Sequence, residues 1–289
     1  MLEKYPKITV ITPSFNQGAY LEHTITSILN QGYPNLEYIV IDGGSTDHSI
    51  EIIKKYEHLL TYWVSEKDKG LYHALQKGFS RSTGEIMCWI NSDDMHHRRS
   101  LMTIAELFKD FPDINWIMGK NTFYDEQGRE FIYGTNMFNE RWSKWKMYDQ
   151  DGEYIQQESV FWRRSLWEKS GAYIDTNLSL ASDAELWLRF FRHDQLYSTE
   201  LLLSGFRFRS GIQKSKDQRE EYIAELSTVI QRELSIGNTR AYFRFMRFMK
   251  FFAKLIPLFK LKSKITMKVM AMPPKIVYNP DGTYRFSWK

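Results

Sequence analysis

Short apolar runs and helical stripes alternate along the first part of the chain. Lys7 to Thr12 is a β-branched run that reads as a first strand. Pro13-Ser-Phe-Asn-Gln-Gly18 interrupts it before a helical pattern through Leu21, Ile25, Ile28 and Leu29. A second strand, Leu36 to Ile41, ends in Asp42-Gly-Gly-Ser-Thr-Asp47, where Ser45, Thr46 or Asp47 is placed to cap a helix from Ser49 to Tyr56. Leu60 to Val64 is a third strand, followed by Ser65-Glu-Lys-Asp-Lys-Gly70 and a helix over Leu71 to Arg81. Ile86 to Ile90, bounded by Gly84, is the fourth, and it delivers Asn91-Ser-Asp93-Asp94 at its end. Strands that end in polar or glycine-bearing loops, separated by helices, predict an α/β fold. Its sheet is mainly parallel, with the ligand-facing loops along one edge.

The second half is less regular. Met102, Ala105, Leu107 and Phe108 mark a helix, and Asn115 to Phe123 with Glu130 to Tyr133 flank a hairpin turn at Asp125-Glu-Gln-Gly128. From Asn136 to Tyr154 the pattern weakens and reads as a loop on the acceptor side of the cleft. Ser159 to Trp162 is strand-like, and Arg164 to Ser170 is a short helix stopped by Gly171. Ser182 is placed to cap a helix Asp183 to His193 with Leu186, Trp187, Phe190 and Phe191 on its apolar side.

Composition narrows the class. Hydrophobic residues make up 43% and charged residues 26% of the 289, as in a folded globular protein, and the 16% aromatic share suits a cleft or an interface. Cys88 is the single cysteine and lies inside an apolar strand, which excludes a disulfide framework or thiolate metal cluster and implies a reducing setting. No apolar run reaches the ~18 residues of a membrane span, and no signal segment precedes the first strand, so the expected location is cytoplasmic. The net charge of +4 is concentrated, because Arg240 to Lys268 contains no Asp or Glu. No nucleic-acid partner is expected.

Two adjacent carboxylates at a strand end, Asp93 and Asp94, repel each other unless a cation or a shared proton compensates. Mg²⁺ or Mn²⁺ bridging a substrate diphosphate is one reading of that stretch, and a turn with a helix cap is the other. The glycines after Asp42 allow close approach of a ligand, and Asp42 either accepts from a base N–H or simply ends its strand. The first loop carries no G-x-G-x-x-G and no G-K-[ST], which excludes a dinucleotide fingerprint and a Walker loop. His96 and His97, being consecutive, point apart and read as solvent-facing; Cys88 and Trp187 read as core and Arg189 as helix surface.

Taken together, Thr12-Pro-Ser-Phe-Asn16, Ile39 to Asp47, Ser65 to Gly70, Thr83-Gly-Glu-Ile86, Asn91-Ser-Asp-Asp94 and Ser182 to Arg189 resemble glycosyltransferase family 2, over about residues 7 to 215. The resemblance implies a GT-A fold, a Rossmann-like sheet flanked by helices, in residues 1–215, with 216–289 left as a helical, basic, amphipathic extension. It implies an inverting enzyme that moves a sugar from a nucleotide-diphosphate sugar, UDP favoured, to a saccharide or lipid-linked acceptor in bacterial surface polysaccharide or glycolipid assembly. Thr12, Pro13, Ser14 and Asn16 then line the nucleoside pocket, Asp42 and Gly43 meet the base, and Asp68 and Lys69 face the ribose, diphosphate or sugar. Asp93 and Asp94 carry Mn²⁺ or Mg²⁺, and Asp183 matches the catalytic base. The sequence departs from the family where Asn91 replaces an Asp, where Arg209 replaces a His and is free to clasp the diphosphate, and where His73 replaces an Asp.

Two other classes compete. A sugar-1-phosphate nucleotidyltransferase needs a Gly-rich basic loop that Pro13-Ser-Phe-Asn-Gln does not provide, and a silent binding or scaffold protein would tolerate loss of carboxylates that are all present here. In the tail, Arg240, Arg244, Arg247, Lys250 and Lys254 form a helical stripe beside many aromatics, ended by Pro257. That stretch, 240–262, fits an anionic membrane surface, with packing on the catalytic domain or on a second copy as the alternative.

Overall fold

The computed structural model describes residues 5–131, 141–149, 155–210, 217–254, 266, 268 and 270–288. Its first half runs β1 (Ile8–Ser14), α1 (Gly18–Leu29), β2 (Leu36–Asp42), α2 (Ser49–Tyr56), β3 (Tyr62–Ser65), α3 (Leu71–Arg81), β4 (Ile86–Trp89), β5 (Met95–His96) and α4 (Ser100–Asp110). Then come β6 (Trp116–Met118), β7 (Thr122–Tyr124), β8 (Glu130–Phe131), α5 (Lys144–Asp149), β9 (Val160–Arg163), α6 (Arg164–Lys169), α7 (Ser182–Phe190), β10 (Tyr197–Ser198) and β11 (Ser204–Arg207). The chain closes with α8 (Arg219–Leu234), α9 (Thr239–Lys254) and a hairpin of β12 (Lys275–Tyr278) and β13 (Tyr284–Ser287).

The main sheet has the order β10-β6-β9-β4-β1-β2-β3. β1 pairs in parallel with β2 and β4, β2 with β3, and β6 with β10, while β9 runs antiparallel between β4 and β6. The mainly parallel expectation therefore holds with one reversed strand. All seven residues of β1 are buried, as a central strand covered on both faces requires. β1 goes out to β2 on one side and β4 on the other, so the loops after β1 and β4 splay apart and leave a crevice at their carboxyl ends.

The stretch Asn115 to Phe123 is not one strand. Gly119 and Lys120 turn it: Gly119 N–H donates to Ser159 O at 3.0 Å, and Lys120 N–H to Leu201 O at 2.9 Å. A Cβ on Gly119 would lie 2.8 Å from Leu203, so only glycine passes there. β6 stays in the main sheet, while β7 and β8 form the expected hairpin within a second sheet of order β5-β11-β7-β8. Residues 132 and 133 of the expected return strand lie outside the described residues.

Burial corrects two further expectations. His96 and His97 are buried, because β5 pairs with β11 and turns them into the seam between α1 and the second sheet. His96 Nδ1 meets Ser204 Oγ at 2.6 Å, and His97 meets Thr122 Oγ1 at 2.7 Å and Tyr124 Oη at 2.8 Å. Burial holds His96 down at about 4, so its imidazole is neutral at pH 7. Arg189 is buried too: it pairs with Glu185 one turn back at 2.8 Å and donates to the carbonyls of Ser170 and Tyr173. Trp187 and Cys88 are core, as expected, and Trp187 stacks on Trp89 with centroids 5.5 Å apart.

The C-terminal segment is less purely helical than expected. It ends in the β12–β13 hairpin, joined to the main body by a bridge between Thr199 and Ile276. Part of Asn136 to Tyr154 is helix α5, whose Trp145 and Tyr148 pack on Phe243 of α9. Residues 136–140 and 150–154 of that stretch, and Pro257, lie outside the described residues. Among the described residues no helix is long and apolar enough to cross a membrane.

Candidate active site

The loops after β1 and β2 are bound into one wall. Asn16, at φ 51, donates its backbone N–H to Ser45 Oγ at 2.8 Å, and its side-chain oxygen accepts from Thr46 N–H at 2.8 Å. Asp47 takes Gly18 N–H at 2.8 Å and Ser49 N–H at 3.0 Å, so Asp47 is the one of the three candidates that satisfies the start of α2 while also tethering α1. Thr12 is buried against Tyr38 Oη at 3.1 Å, and Pro13 is buried beside it. Asp42 is fully buried, and its carboxylate accepts from the N–H groups of Gly44 and Ser45 and the hydroxyls of Ser45 and Ser65. In this structure Asp42 therefore shapes the loop rather than lining the cleft. Gly43 is where the opposite wall comes closest, since a Cβ there would lie 3.1 Å from the Asp68 carboxylate. Asp68 closes its own turn on Gly70 N–H at 2.7 Å, and Lys69 is exposed.

The loop after β4 separates the two adjacent carboxylates. Asp94 turns inward: Oδ1 accepts Arg207 N–H at 2.8 Å and Oδ2 accepts Asn91 Nδ2 at 3.2 Å, and its carboxyl hydrogen-bonds that of Glu158. Burial first, then the charges of Glu158 and Asp93, push the Asp94 carboxyl well above the carboxylate range. Burial likewise raises Glu158 to about 7, so the pair keeps a proton between its two carboxyls at neutral pH. Asp93 instead faces Arg209, with Nε to Oδ2 at 2.8 Å. Arg207 of β11 fixes the loop from beneath through Asp93 O at 2.7 Å. The expected pair of metal residues, Asp93 and Asp94, is thus one rim carboxylate, Asp93, and one buried acid, Asp94.

Among the described residues no cluster of three or more His, Cys, Asp or Glu is placed to hold a metal ion. Two buried atoms at the same strand ends, Ser14 Oγ and Asn91 Oδ1, have no hydrogen-bond partner among the described residues. Oxygen donors of this kind, one carboxylate and one amide, fit a Mg²⁺-like ion that takes most of its ligands from phosphate and water.

Asp183 is the second residue of α7, not the first, because Ser182 is already helical and its hydroxyl donates to Asp175 O. The backbone leading into the helix is held from elsewhere. Glu225 of α8 accepts the N–H groups of Ser179 at 3.0 Å, Leu180 at 2.8 Å and Ala181 at 3.0 Å. Tyr72 of α3 donates its hydroxyl to Leu180 O at 2.6 Å and faces the Asp183 carboxylate. Burial raises Asp183 to about 6, opposed by the N–H of Ala184 and the Tyr72 hydroxyl, with Glu225 adding to the rise. Tyr222, also from α8, is held far above its ordinary range by burial and by the Asp183 charge. Trp187 locks α7 to the sheet through its stacks on Trp89 and Trp116.

Glu158, Tyr72, Tyr222 and Glu225 are the residues that sequence reasoning missed. Glu158 lies just before β9 and was readable only as a loop residue; Tyr222 and Glu225 lie in a segment with no motif. All four become visible through burial and partners.

The model of the family described as glycosyl transferase family 2 matches residues 9–167. The chain is 29% identical over 188 residues to an uncharacterized glycosyltransferase of Mycobacterium tuberculosis, covering 64% of this chain and 68% of that one. It is 25% identical over 235 residues to the poly(ribitol-phosphate) beta-N-acetylglucosaminyltransferase TarP of Staphylococcus aureus, covering 77% and 71%. Among solved structures, S. aureus TarS 1–349 in complex with UDP-GlcNAc shares the fold at a TM-score of 0.63 and 15% identity, covering 98% of this chain and 97% of that one. A mannosyltransferase from Pyrobaculum calidifontis in complex with GDP-Man and Mn²⁺ does so at 0.58 and 16%, covering 92% and 74%. By sequence the chain belongs to glycosyl transferase family 2, and its fold is the GT-A fold.

Proposed function

We propose that the protein transfers one sugar, with inversion at the anomeric carbon, from a nucleotide-diphosphate sugar to an acceptor hydroxyl, with Asp183 as the general base. The observation that carries this is the setting of Asp183: a half-buried carboxylate at a helix start, raised to about 6 chiefly by desolvation, whose charge and that of Asp93 both act on Glu158. A base with that affinity is ionised at pH 7 yet strong enough to take a proton in the transition state. As the acceptor oxygen bonds to C1, its proton passes to Asp183, the bond from C1 to the diphosphate oxygen breaks, and the electron pair leaves on the nucleoside diphosphate.

The wall built by Thr12, Pro13, Ser14, Asn16 and Gly43 would receive the nucleoside, with Asp42 setting its shape. Ser14 Oγ and Asn91 Oδ1 would find their missing partners on the donor or its ion. Asp68 and Lys69 face the ribose, diphosphate or sugar from the opposite wall. Asp93, assisted by Asn91, would hold Mn²⁺ or Mg²⁺, with Asp94 as its buried support. When bound, such an ion neutralises charge developing on the leaving diphosphate. Arg209, already charge-paired with Asp93, is placed to follow the same charge.

That TarP, by its name, adds N-acetylglucosamine to a poly(ribitol-phosphate) supports an acceptor in the surface-polymer class, and the complex of TarS with UDP-GlcNAc makes UDP-sugars the first donors to try. The test is a thermal-shift panel of UDP-, GDP- and dTDP-sugars with and without Mn²⁺, followed by nucleoside diphosphate release with the stabilising donor. A donor present at 100 times its Kd should stabilise by about 2.7 kcal/mol. No stabilisation by any donor with or without ion, together with no release, contradicts the reading and leaves a silent scaffold.

A further inference from the structure

Helix α9 divides the tail's aromatics into two sets. Phe243 and Met246 are buried against Trp145 and Tyr148 of α5. On the opposite side Phe245, Phe248, Phe251 and Phe252 are 55%, 57%, 59% and 47% exposed, and Phe248 packs on Phe252 with centroids 4.5 Å apart. The side chains of Arg240, Arg244 and Arg247 are exposed on the flank of that patch. Lys250 does not belong to the flank, because it turns inward to Asp149, which Arg247 also reaches at 3.7 Å. Residues 255–262 of the expected stripe lie outside the described residues.

We infer that this outer face of α9 is a docking surface for a bilayer rich in anionic lipid, with the phenylalanines seated in the interface and the arginines on the headgroup phosphates. Packing on the catalytic domain is already provided for by Phe243 and Met246, so it does not explain the exposed rings. Charge complementarity decides among the remaining occupants. α9 carries no acidic residue, so a second copy of the same face would bring arginine against arginine, whereas phosphate headgroups match it. A helix with exposed aromatics flanked by arginines is the pattern of an interfacial helix, and its apolar rings need bury only a few ångströms to leave water. The surface is separate from the cleft, so the inference stands or falls apart from the transfer reaction.

The experiment is co-sedimentation of the full chain with vesicles of phosphatidylcholine alone or containing about one-third phosphatidylglycerol, at low and high salt. Each arginine near an anionic surface contributes about fivefold, so the three should raise partitioning into anionic vesicles by roughly 100-fold. Arg240→Gln, Arg244→Gln and Arg247→Gln together should remove that preference. Phe245→Ser, Phe248→Ser and Phe252→Ser together should abolish binding to both vesicle types. Nucleoside diphosphate release in vesicle-free buffer should be unchanged in both variants, which shows that they are folded. Failure of the full chain to sediment with anionic vesicles at low salt overturns the inference. So does equal binding by the arginine variant, or a dimer in analytical ultracentrifugation that only the serine variant dissolves while vesicles bind nothing.

Discussion

Glu225→Gln tests whether the C-terminal helix α8 sets the geometry and the proton affinity of Asp183. The Glu225 carboxylate accepts from Ser179, Leu180 and Ala181 N–H groups, at 2.8 to 3.2 Å, just ahead of α7. Hydrogen bonds to a charged group contribute about 1.5–3 kcal/mol each when buried. Glu225 is half-buried, and water can replace part of what is lost, so about 2 kcal/mol in total is the expected loss for the amide, which keeps one acceptor oxygen. For a chain of this size that is a fall in Tm of about 5 °C. The catalytic effect should exceed the stability effect. With Asp183 displaced from the attacking hydroxyl, kcat should fall about 10- to 100-fold while the donor KM stays within about twofold. The Glu225 charge helps to raise Asp183, so its removal should move the acid limb of the rate profile to lower pH. Other charges and hydroxyls facing Asp183, those of Glu158, Tyr72 and Tyr222, are unchanged by the substitution. Stopped assays of nucleoside diphosphate release across pH 4.5 to 8, with parallel thermal unfolding, give both readouts. A lowered Tm with unchanged kcat and an unmoved acid limb would refute the reasoning and leave Glu225 as a structural tether.

Three more outcomes follow. The wild-type rate constant should fall as pH drops through about 6, because a base raised to that value is protonated below it; a flat profile from pH 7 to 5 argues against Asp183. Asp183→Asn should lose at least about 100-fold in transfer and keep nucleotide affinity within a few fold by calorimetry. Asp93→Asn should cost about 100- to 1,000-fold and weaken Mn²⁺ binding measured directly, while Asp94→Asn stays within about tenfold. The amide can still accept from Arg207 N–H and donate to Glu158, so equal losses at the two positions would show that Asp94 is not the buried support described here.

The parallel half of the fold was legible because β1, β2 and β4 are buried on both faces and appear as short, mostly apolar and β-branched runs. The irregular half was not, because its signals depend on partners distant in the chain. Gly119 breaks an apolar stretch only because Leu203 stands behind it, and no periodicity announces that. His96 and His97 look like solvent residues until β11 pairs over them. At the site, the adjacent carboxylates read as two residues of one metal site, yet Arg207 and Arg209 from one later strand and its exit draw them in different directions. The start of α7 shows the same limit: Ser182 has the right residue type for a cap but donates its hydroxyl to Asp175 O, while the backbone ahead of the helix is held by Glu225, more than forty positions away.

The central claim is direct inverting displacement assisted by Asp183, and the anomer of the released sugar tests it without knowledge of the acceptor. With an α-linked nucleotide sugar and water as the acceptor, ¹H NMR in the first minutes should show the β-sugar with stoichiometric nucleoside diphosphate before mutarotation, and Asp183→Asn should show neither above background. Appearance of the α-sugar first, or wild-type release that Asp183→Asn leaves unchanged, would contradict it.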